Sequence, residues 1–318
     1  MLRCMTSKIS IVTPVFNEED NVEACANRCR EVMEQSLPDY EYEHIFADNA
    51  STDGTLARLR ALAGEDSRIK VIANSRNVGV FRNAANAMRS ASGAVVVPIF
   101  SADLQDPPEV IPEFVRKWEE GNLVVFGVRQ NRNEGLRMRG FRGLFYRILS
   151  WFGGDQGAPP HAGEFQLLDR RVVESILETD DQYPYIRGLV AQTRVKSAVV
   201  EYSWLPRQSG KSKIGGWELV DQAINGFVST ARTPLRFGLA LGLFASAAGL
   251  VFGLISLIVL VLSRGQVDPG IPSILVGVFF LGGVQLFFLG VVGEYVLSIH
   301  GQVRRPPRMF ELERVNLE

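Results

Sequence analysis

The stretch "VVVPIFSADLQDPPE", residues 95–109, runs an apolar segment with no helical period straight into Asp103, Gln105 and Asp106, and then into two prolines. Such a run reads as a strand covered on both faces. The acids then fall at its carboxyl end, where open α/β sheets bind their ligands. Pro107 and Pro108 suit the first turn of a helix, because an N–H there would have no partner anyway. The stretch thus raises a chemical question: which ligand calls for a carboxylate and a carboxamide two residues apart?

Working outward, "KISIVTPVF" (8–16), "EHIFA" (43–47), "IKVIA" (69–73), "AVVVPIF" (94–100) and "LVVFG" (123–127) read as further strands. Helical stretches at 18–35, 54–63, 79–91 and 107–120 separate them. The alternation predicts an α/β fold with a doubly wound, mostly parallel sheet. Two more strand ends are polar, "PVFNEED" and "ADNASTDGT", so Asn17, Glu18, Asp48 and Asp53 are expected on the same edge as Asp103. Helix capping accounts for Asp53 before Gly54. It accounts less well for carboxylates at three strand ends facing one crevice, where repulsion calls for a cation or a donor-rich ligand.

A nucleoside diphosphate fits such a crevice. Carboxylates accept hydrogen bonds from base N–H groups and ribose hydroxyls, but they repel phosphates, so a divalent cation must intervene. Asp103 and the amide oxygen of Gln105 are hard oxygen donors of the kind Mg²⁺ or Mn²⁺ takes. The G-x-G-x-x-G and Walker patterns are both absent from the sequence, which counts against dinucleotide oxidoreductases and P-loop NTPases.

The chain has 318 residues and a net charge of −1, which gives no indication of nucleic acid as a partner. No ionisable side chain occurs from Phe237 to Ser263, nor from Pro269 to Gly293. Each run exceeds the roughly 20 apolar residues that cross a bilayer, so two transmembrane helices are expected. Glycines recur through both, as where helices pack closely in lipid, and a homo-oligomer is expected on that ground. Arg232, Arg236, Arg304, Arg305 and Arg308 flank the pair, against Arg264 with Asp268 between them. Positive flanks stay inside, and "MLRCMTSKISIVTP" lacks the apolar run of a signal peptide. The expectation is a multi-pass protein of the plasma (inner) membrane, with the catalytic domain and both termini cytoplasmic. Its divisions are a cytoplasmic domain over 1–215, an interfacial amphipathic helix over 216–235, two spans over 236–300 and a cytoplasmic tail over 301–318. The basic, amphipathic "GLRMRGFRGLFYRILSWF" (135–152) either lies in the headgroup layer, guiding an anionic lipid, or packs on the sheet. Cys25 and Cys29, one helical turn apart, read as packing residues.

The blocks "IVTPVFNEEDNV", "ADNASTDGT", "SRNVG", "ADLQDPPE", "GEFQLLDRRV" and "RQSGKSK" stand in the order and spacing of the polyprenyl-phosphate glycosyltransferases. The chain resembles these family 2 inverting enzymes, which are similar to dolichyl-phosphate mannose synthase and to bacterial undecaprenyl-phosphate glycosyltransferases. The resemblance spans nearly the whole chain. It implies a GT-A fold, a nucleotide-sugar donor, Mg²⁺ or Mn²⁺, and a polyprenyl phosphate acceptor, undecaprenyl or dolichyl. It further implies that Pro14, Asn17, Glu18, Asp48 and Asp103 line the nucleotide-sugar site and that Asp103 and Gln105 hold the metal. Arg207, Ser212 and Lys213 would engage the acceptor phosphate, and Asp103, Glu164 and Arg207 would be catalytic. Two positions depart from the pattern. Ser101 stands where an Asp is usual, which removes one carboxylate from the metal's neighbourhood, and Glu164 stands where a shorter Asp is usual.

The implied chemistry needs little base. A phosphate monoester has a second pKa of about 6 and is already an anionic nucleophile at neutral pH. Two rivals stay open. One is transfer to another membrane lipid such as diacylglycerol, whose hydroxyl would make Glu164 indispensable. The other is a non-catalytic membrane scaffold on a transferase fold.

Overall fold

A computed structural model of the protein describes residues 7–130, 159, 162–179, 181, 184–205, 244, 251, 258, 270–304 and 309–317. The chain divides into two compact units, one of Met1–Arg139, Gln156–Gly216 and Arg305–Glu318, the other of Gly140–Asp155 and Trp217–Arg304.

In the first unit the chain runs β1 (Lys8–Val15), α1 (Val22–Ser36), β2 (Glu41–Asp48), α2 (Thr55–Glu65), β3 (Ile69–Asn74), α3 (Val80–Ser90) and β4 (Val95–Val97). It continues through a 3₁₀ turn (Pro108–Val110), α4 (Ile111–Glu119), β5 (Val124–Gln130), β6 (Ala162–Asp169), α5 (Arg170–Glu178), α6 (Ile186–Thr193) and β7 (Ser197–Ser203). Its last element is β8 (Glu311–Val315). The eight strands form one sheet in the order β7-β5-β6-β4-β1-β2-β3-β8. All lie parallel except β6, antiparallel to both β4 and β5, and β8, antiparallel to β3.

Both faces of the sheet are covered, which is why its strands read as continuous apolar runs. Ile11, Phe46, Val71 and Val97 pack with Cys25, Cys29 and Met33 of α1 and Phe114 of α4. The alternate residues Val12, Ile45, Ile72 and Val96 pack with Ala84, Ala87 and Met88 of α3 and with Val172 and Val173 of α5. The period of two along each strand sends neighbouring side chains to opposite layers.

The strand expected over 94–100 pairs only through Val97. Pro98 follows, and without an N–H it cannot continue the ladder; Phe100 N still donates to Val12 O at 2.8 Å. The two prolines at 107–108 open the 3₁₀ turn, while Pro112 occupies the first turn of α4. The stretch 301–318, expected as a tail, supplies β8: Val315 lies opposite Val71 and Arg314 opposite Ile72. Asn316 donates to Ala63 O at 2.7 Å and Ile69 O at 2.8 Å, and Arg60 pairs with Glu313.

In the second unit the described element is α7 (Ile271–Arg304), 34 residues long, in which Ile274, Leu286 and Leu289 are exposed apolar side chains. Among the described residues no helix is long and apolar enough to cross a membrane, and the two spans expected over 236–300 remain a proposal. Most of the first span, the 135–152 and 216–235 stretches, and the Arg207, Ser212 and Lys213 of the basic loop lie outside the described residues.

Candidate active site

Parallel pairing of β1 with β2 sets Pro14 opposite Ala47 and Val15 opposite Asp48. The loops that carry Asn17, Glu18 and Asp48 therefore leave the sheet side by side. They are bonded to each other: Asn17 Oδ1 accepts from Thr52 N at 2.7 Å, and Asn17 N donates to Ser51 Oγ at 2.9 Å. Glu18 N donates to Thr55 Oγ1 at 2.8 Å, and the Glu18 carboxylate accepts from Asn21 at 2.5 Å. Asn17 sits at φ 54°, a left-handed conformation that Asn tolerates better than most residues. The visible bonds of Asn17 and Glu18 thus shape the rim. Asp53 stands just before the N-cap of α2, which is Gly54, and its side chain accepts from Thr55 N at 3.0 Å and from Thr55 Oγ1 at 2.5 Å, a local turn bond at the helix start rather than a side-chain cap.

Asp48 is different. It is 1% exposed; Oδ2 accepts from Ser51 N at 3.2 Å, while Oδ1 is buried with no partner. Burial pushes its carboxyl up, against the Ser51 hydrogen bonds that pull it down. An unmet buried acceptor costs about 1–3 kcal/mol, and a donor on a ligand would satisfy it.

The loop after β4 alternates in exposure. Ser101, Asp103 and Gln105 are half-buried, while Ala102, Leu104 and Asp106 are buried. Leu104, at φ 55°, turns the chain between the two expected metal ligands. Gln105 N donates to Asp103 Oδ1 at 3.2 Å. A carboxylate and a carboxamide at one partly open turn are a hard-oxygen donor set that fits Mg²⁺ or Mn²⁺.

Glu164 reaches the same edge because β6 is reversed. Asp169 lies opposite Val95, so the first residues of β6 lie past the carboxyl end of β4. Glu164 Oε2 is sealed from solvent without a hydrogen-bond partner. Burial raises its carboxyl above the usual range, opposed by the positive charges of Arg187 and Arg129. Two residues on, Gln166 is fully buried with neither amide atom bonded.

Several groups at this edge carry no sequence signal. Arg129 lies one residue before the end of β5, Tyr202 lies opposite it on β7, and the Arg129 guanidinium sits over the Trp204 ring at 5.2 Å. Arg187 on α6 donates to Ala162 O at 2.6 Å. An apolar run ending in arginine, as in "LVVFGVRQ", is the one hint that could have pointed to Arg129. Beneath the sheet, Cys25 and Cys29 are buried as the packing reading expects, and beside them stands His44, the ligand atoms of the three lying within 4.8 Å of one another. The His44 ring bonds Thr13 Oγ1 at 2.8 Å, and burial lowers it to about 3, so it is neutral.

A mostly parallel sheet with carboxylates gathered at one edge, and a reversed strand bringing Glu164 to that edge, is an α/β arrangement of the GT-A type. Residues 10–177 match glycosyl transferase family 2, and the chain belongs to that family. It is 35% identical to the SfII prophage-derived bactoprenol glucosyl transferase of Shigella flexneri, over 95% of this chain and 96% of that one. It is also 35% identical to an uncharacterized glycosyltransferase of Synechocystis sp., over 95% and 94% of the two chains. The prophage bactoprenol glucosyl transferase homolog of Escherichia coli K12 is 32% identical over 95% and 97%. Among solved structures, a mannosyltransferase of Pyrobaculum calidifontis in complex with GDP-Man and Mn²⁺ aligns with a TM-score of 0.48 at 15% identity, over 95% of this chain and 89% of that one.

Proposed function

We propose that the protein transfers a sugar from a nucleotide-sugar donor to a polyprenyl phosphate with inversion, releasing a nucleoside diphosphate. The observation that carries the reading is the juxtaposition on one sheet edge of Asp48, with its unmet acceptor, the Asp103–Gln105 donor pair, and the sealed oxygen of Glu164. The bactoprenol glucosyl transferases among its relatives support a polyprenyl acceptor.

Asp103 and Gln105 would hold Mg²⁺ or Mn²⁺, which when bound neutralises the diphosphate leaving group. Asp48 binds the nucleoside part through a single N–H or O–H donor. Glu164 sits where it can accept a proton from the acceptor or stabilise positive charge developing at the anomeric carbon, and the positive charges of Arg187 and Arg129 oppose the upward push of burial on its carboxyl. Arg207, Ser212 and Lys213 engage the acceptor phosphate, and the two cations among them screen its charge. The protein is anchored in the plasma (inner) membrane by two spans over 236–300, with its catalytic domain cytoplasmic, and it assembles as a homo-oligomer. The exposed apolar side chains of α7 and the uncharged runs of sequence support the anchor.

Glu164 also favours one second reading. A raised carboxyl is the base a neutral hydroxyl acceptor would need, as diacylglycerol offers. The test incubates membranes containing the protein with labelled nucleotide sugars, with polyprenyl phosphate or diacylglycerol, with and without EDTA. Metal-dependent product on polyprenyl phosphate, lost in Asp103→Ala, is expected. Product on diacylglycerol alone transfers the case to the second reading, and an unaffected Asp103→Ala protein overturns the site.

A further inference from the structure

Asp106 belongs to the acidic stretch that opens into the crevice, yet the transfer chemistry above leaves it without a task. It is 2% exposed and faces inward, away from the side shared by Asp103 and Gln105. Two groups converge on it from separate strands and a third from its own loop. Arg129 of β5 forms an ion pair at 3.0 Å, the Tyr202 hydroxyl of β7 donates to Oδ1 at 2.5 Å, and Ser101 Oγ donates to Oδ2 at 3.2 Å. Arg129 Nε also donates to the Tyr202 oxygen at 3.1 Å, closing a ring of three side chains. The Trp204 ring covers the guanidinium at 5.2 Å.

We infer that Asp106 is a positioning residue for sugar transfer: with Tyr202 it fixes the Arg129 guanidinium between the metal-binding turn and Glu164. The inference rests on the proposed function and deepens it.

The geometry explains why a buried charge is kept here. A guanidinium alone swings through several rotamers, and a buried one without a counter-charge is costly. Asp106 supplies that charge and, together with Tyr202, two fixed bonding directions. The ring stands in the same loop as the Asp103–Gln105 turn, so Arg129 is registered against the metal ligands. A backbone bond does the same for the segment leading to the basic loop: Leu205 N donates to Gln105 O at 3.0 Å. Among the described residues, Arg187 of α6 and Arg129 are the cations whose field reaches Glu164. Ser101 fits the scheme. Its hydroxyl donates to Asp106, where a carboxylate at 101 would add a second negative charge to a buried acid.

A double-mutant cycle on the full-length enzyme in membranes tests this, using Asp106→Asn, Arg129→Met and the pair together, with labelled nucleotide sugar and polyprenyl phosphate. Asp106→Asn is expected to lower kcat about 10- to 100-fold, the range typical of groups that orient a reacting centre. KM for the nucleotide sugar should stay within about threefold, because Asp106 is buried beneath the crevice and held by Arg129 and Tyr202. The double variant should be no slower than the slower single variant, because the two residues act as one device. The inference is overturned if Asp106→Asn keeps kcat within twofold of wild type, if the loss falls on KM, or if the two losses multiply. Should Asp106→Asn fail to fold, the double variant decides. It removes both buried charges, an exchange that folds tolerate; a slow double variant supports the device, and one with wild-type kcat overturns it. If the unaltered enzyme makes no lipid-linked sugar, the proposed function fails and this inference falls with it.

Discussion

Replacing Glu43 by Gln is the sharpest test of what holds the catalytic sheet together. Glu43 lies in β2 and is 1% exposed. Its carboxylate accepts from Ser10 Oγ at 2.5 Å and Ser92 N at 2.6 Å, and it pairs with Lys70 at 2.5 Å and Lys8 at 3.0 Å. It thereby ties β1, β2, β3 and the turn before β4 together at their amino ends. Burial alone would raise this acid, but Lys70, Ser10, Ser92 and Lys8 outweigh it and bring it from 4.5 down to about 2. A folded value below the unfolded one means stability that is present above about pH 4.5 and is lost as pH falls toward 2. The difference of about 2.5 units corresponds to about 3 kcal/mol. Glu43→Gln should therefore cost about 3 kcal/mol at pH 7, and the gap from wild type should close progressively below pH 4.5. Urea unfolding of the purified protein in detergent, followed by tryptophan fluorescence from pH 7 to pH 3, measures both. A gap below about 1 kcal/mol at pH 7, or one that does not change with pH, would refute the assignment of this network as a charge-dependent clamp.

Glu164→Gln should reduce kcat by roughly 10²–10⁴ if the acceptor is a neutral hydroxyl, and by much less on polyprenyl phosphate, which is already an anionic nucleophile. In the wild type the acid limb of the pH–rate profile should lie above the ordinary carboxylate range, since burial raises this group, and activity should fall as pH drops through it; a limb near pH 4 would argue that Glu164 is not the titrating group. Asp48→Asn should raise KM for the nucleotide sugar about tenfold while leaving the thermal midpoint unchanged or higher, because the neutral amide relieves a buried, partly unmet carboxylate; steady-state kinetics and thermal melts check the pair of effects. Gly127→Ala would bring its Cβ to 2.6 Å from Phe165 O and 2.9 Å from Tyr202 Cε1. That overpacking should cost about 1–3 kcal/mol, and by displacing Tyr202 it should also slow turnover, measurable by unfolding and by product formation.

The parallel half of the sheet was readable because a strand buried on both faces writes its apolar run into consecutive residues, as in "KISIVTPVF" and "AVVVPIF". The polar residues that follow such runs were readable for the same reason, so Asp48, Asp103 and Gln105 were found at the edge they occupy. The reversed strand β6 was not recognised as a strand, because Glu164 and Gln166 interrupt its apolar pattern from inside the protein. Strand β8 was missed because "ELERV" alternates charge with apolar residues, as a solvated tail also does. Asp106 and Arg129 are ordinary charged residues in sequence, and only the pairing of β5 with β7 brings Tyr202 opposite Arg129 to complete their ring. His44 likewise reaches Cys25 and Cys29 only through the packing of α1 on β2.

Strand β8 has a topological consequence. Residues 305–318 belong to the same compact unit as the chain's first 139, so the segment from 217 to 304 leaves that unit and must come back to it. Any excursion of this segment through a bilayer is therefore a closed trip with an even number of passes. An odd number would strand β8 on the far side from the sheet it completes, leaving β3 as a bare edge open to mispairing.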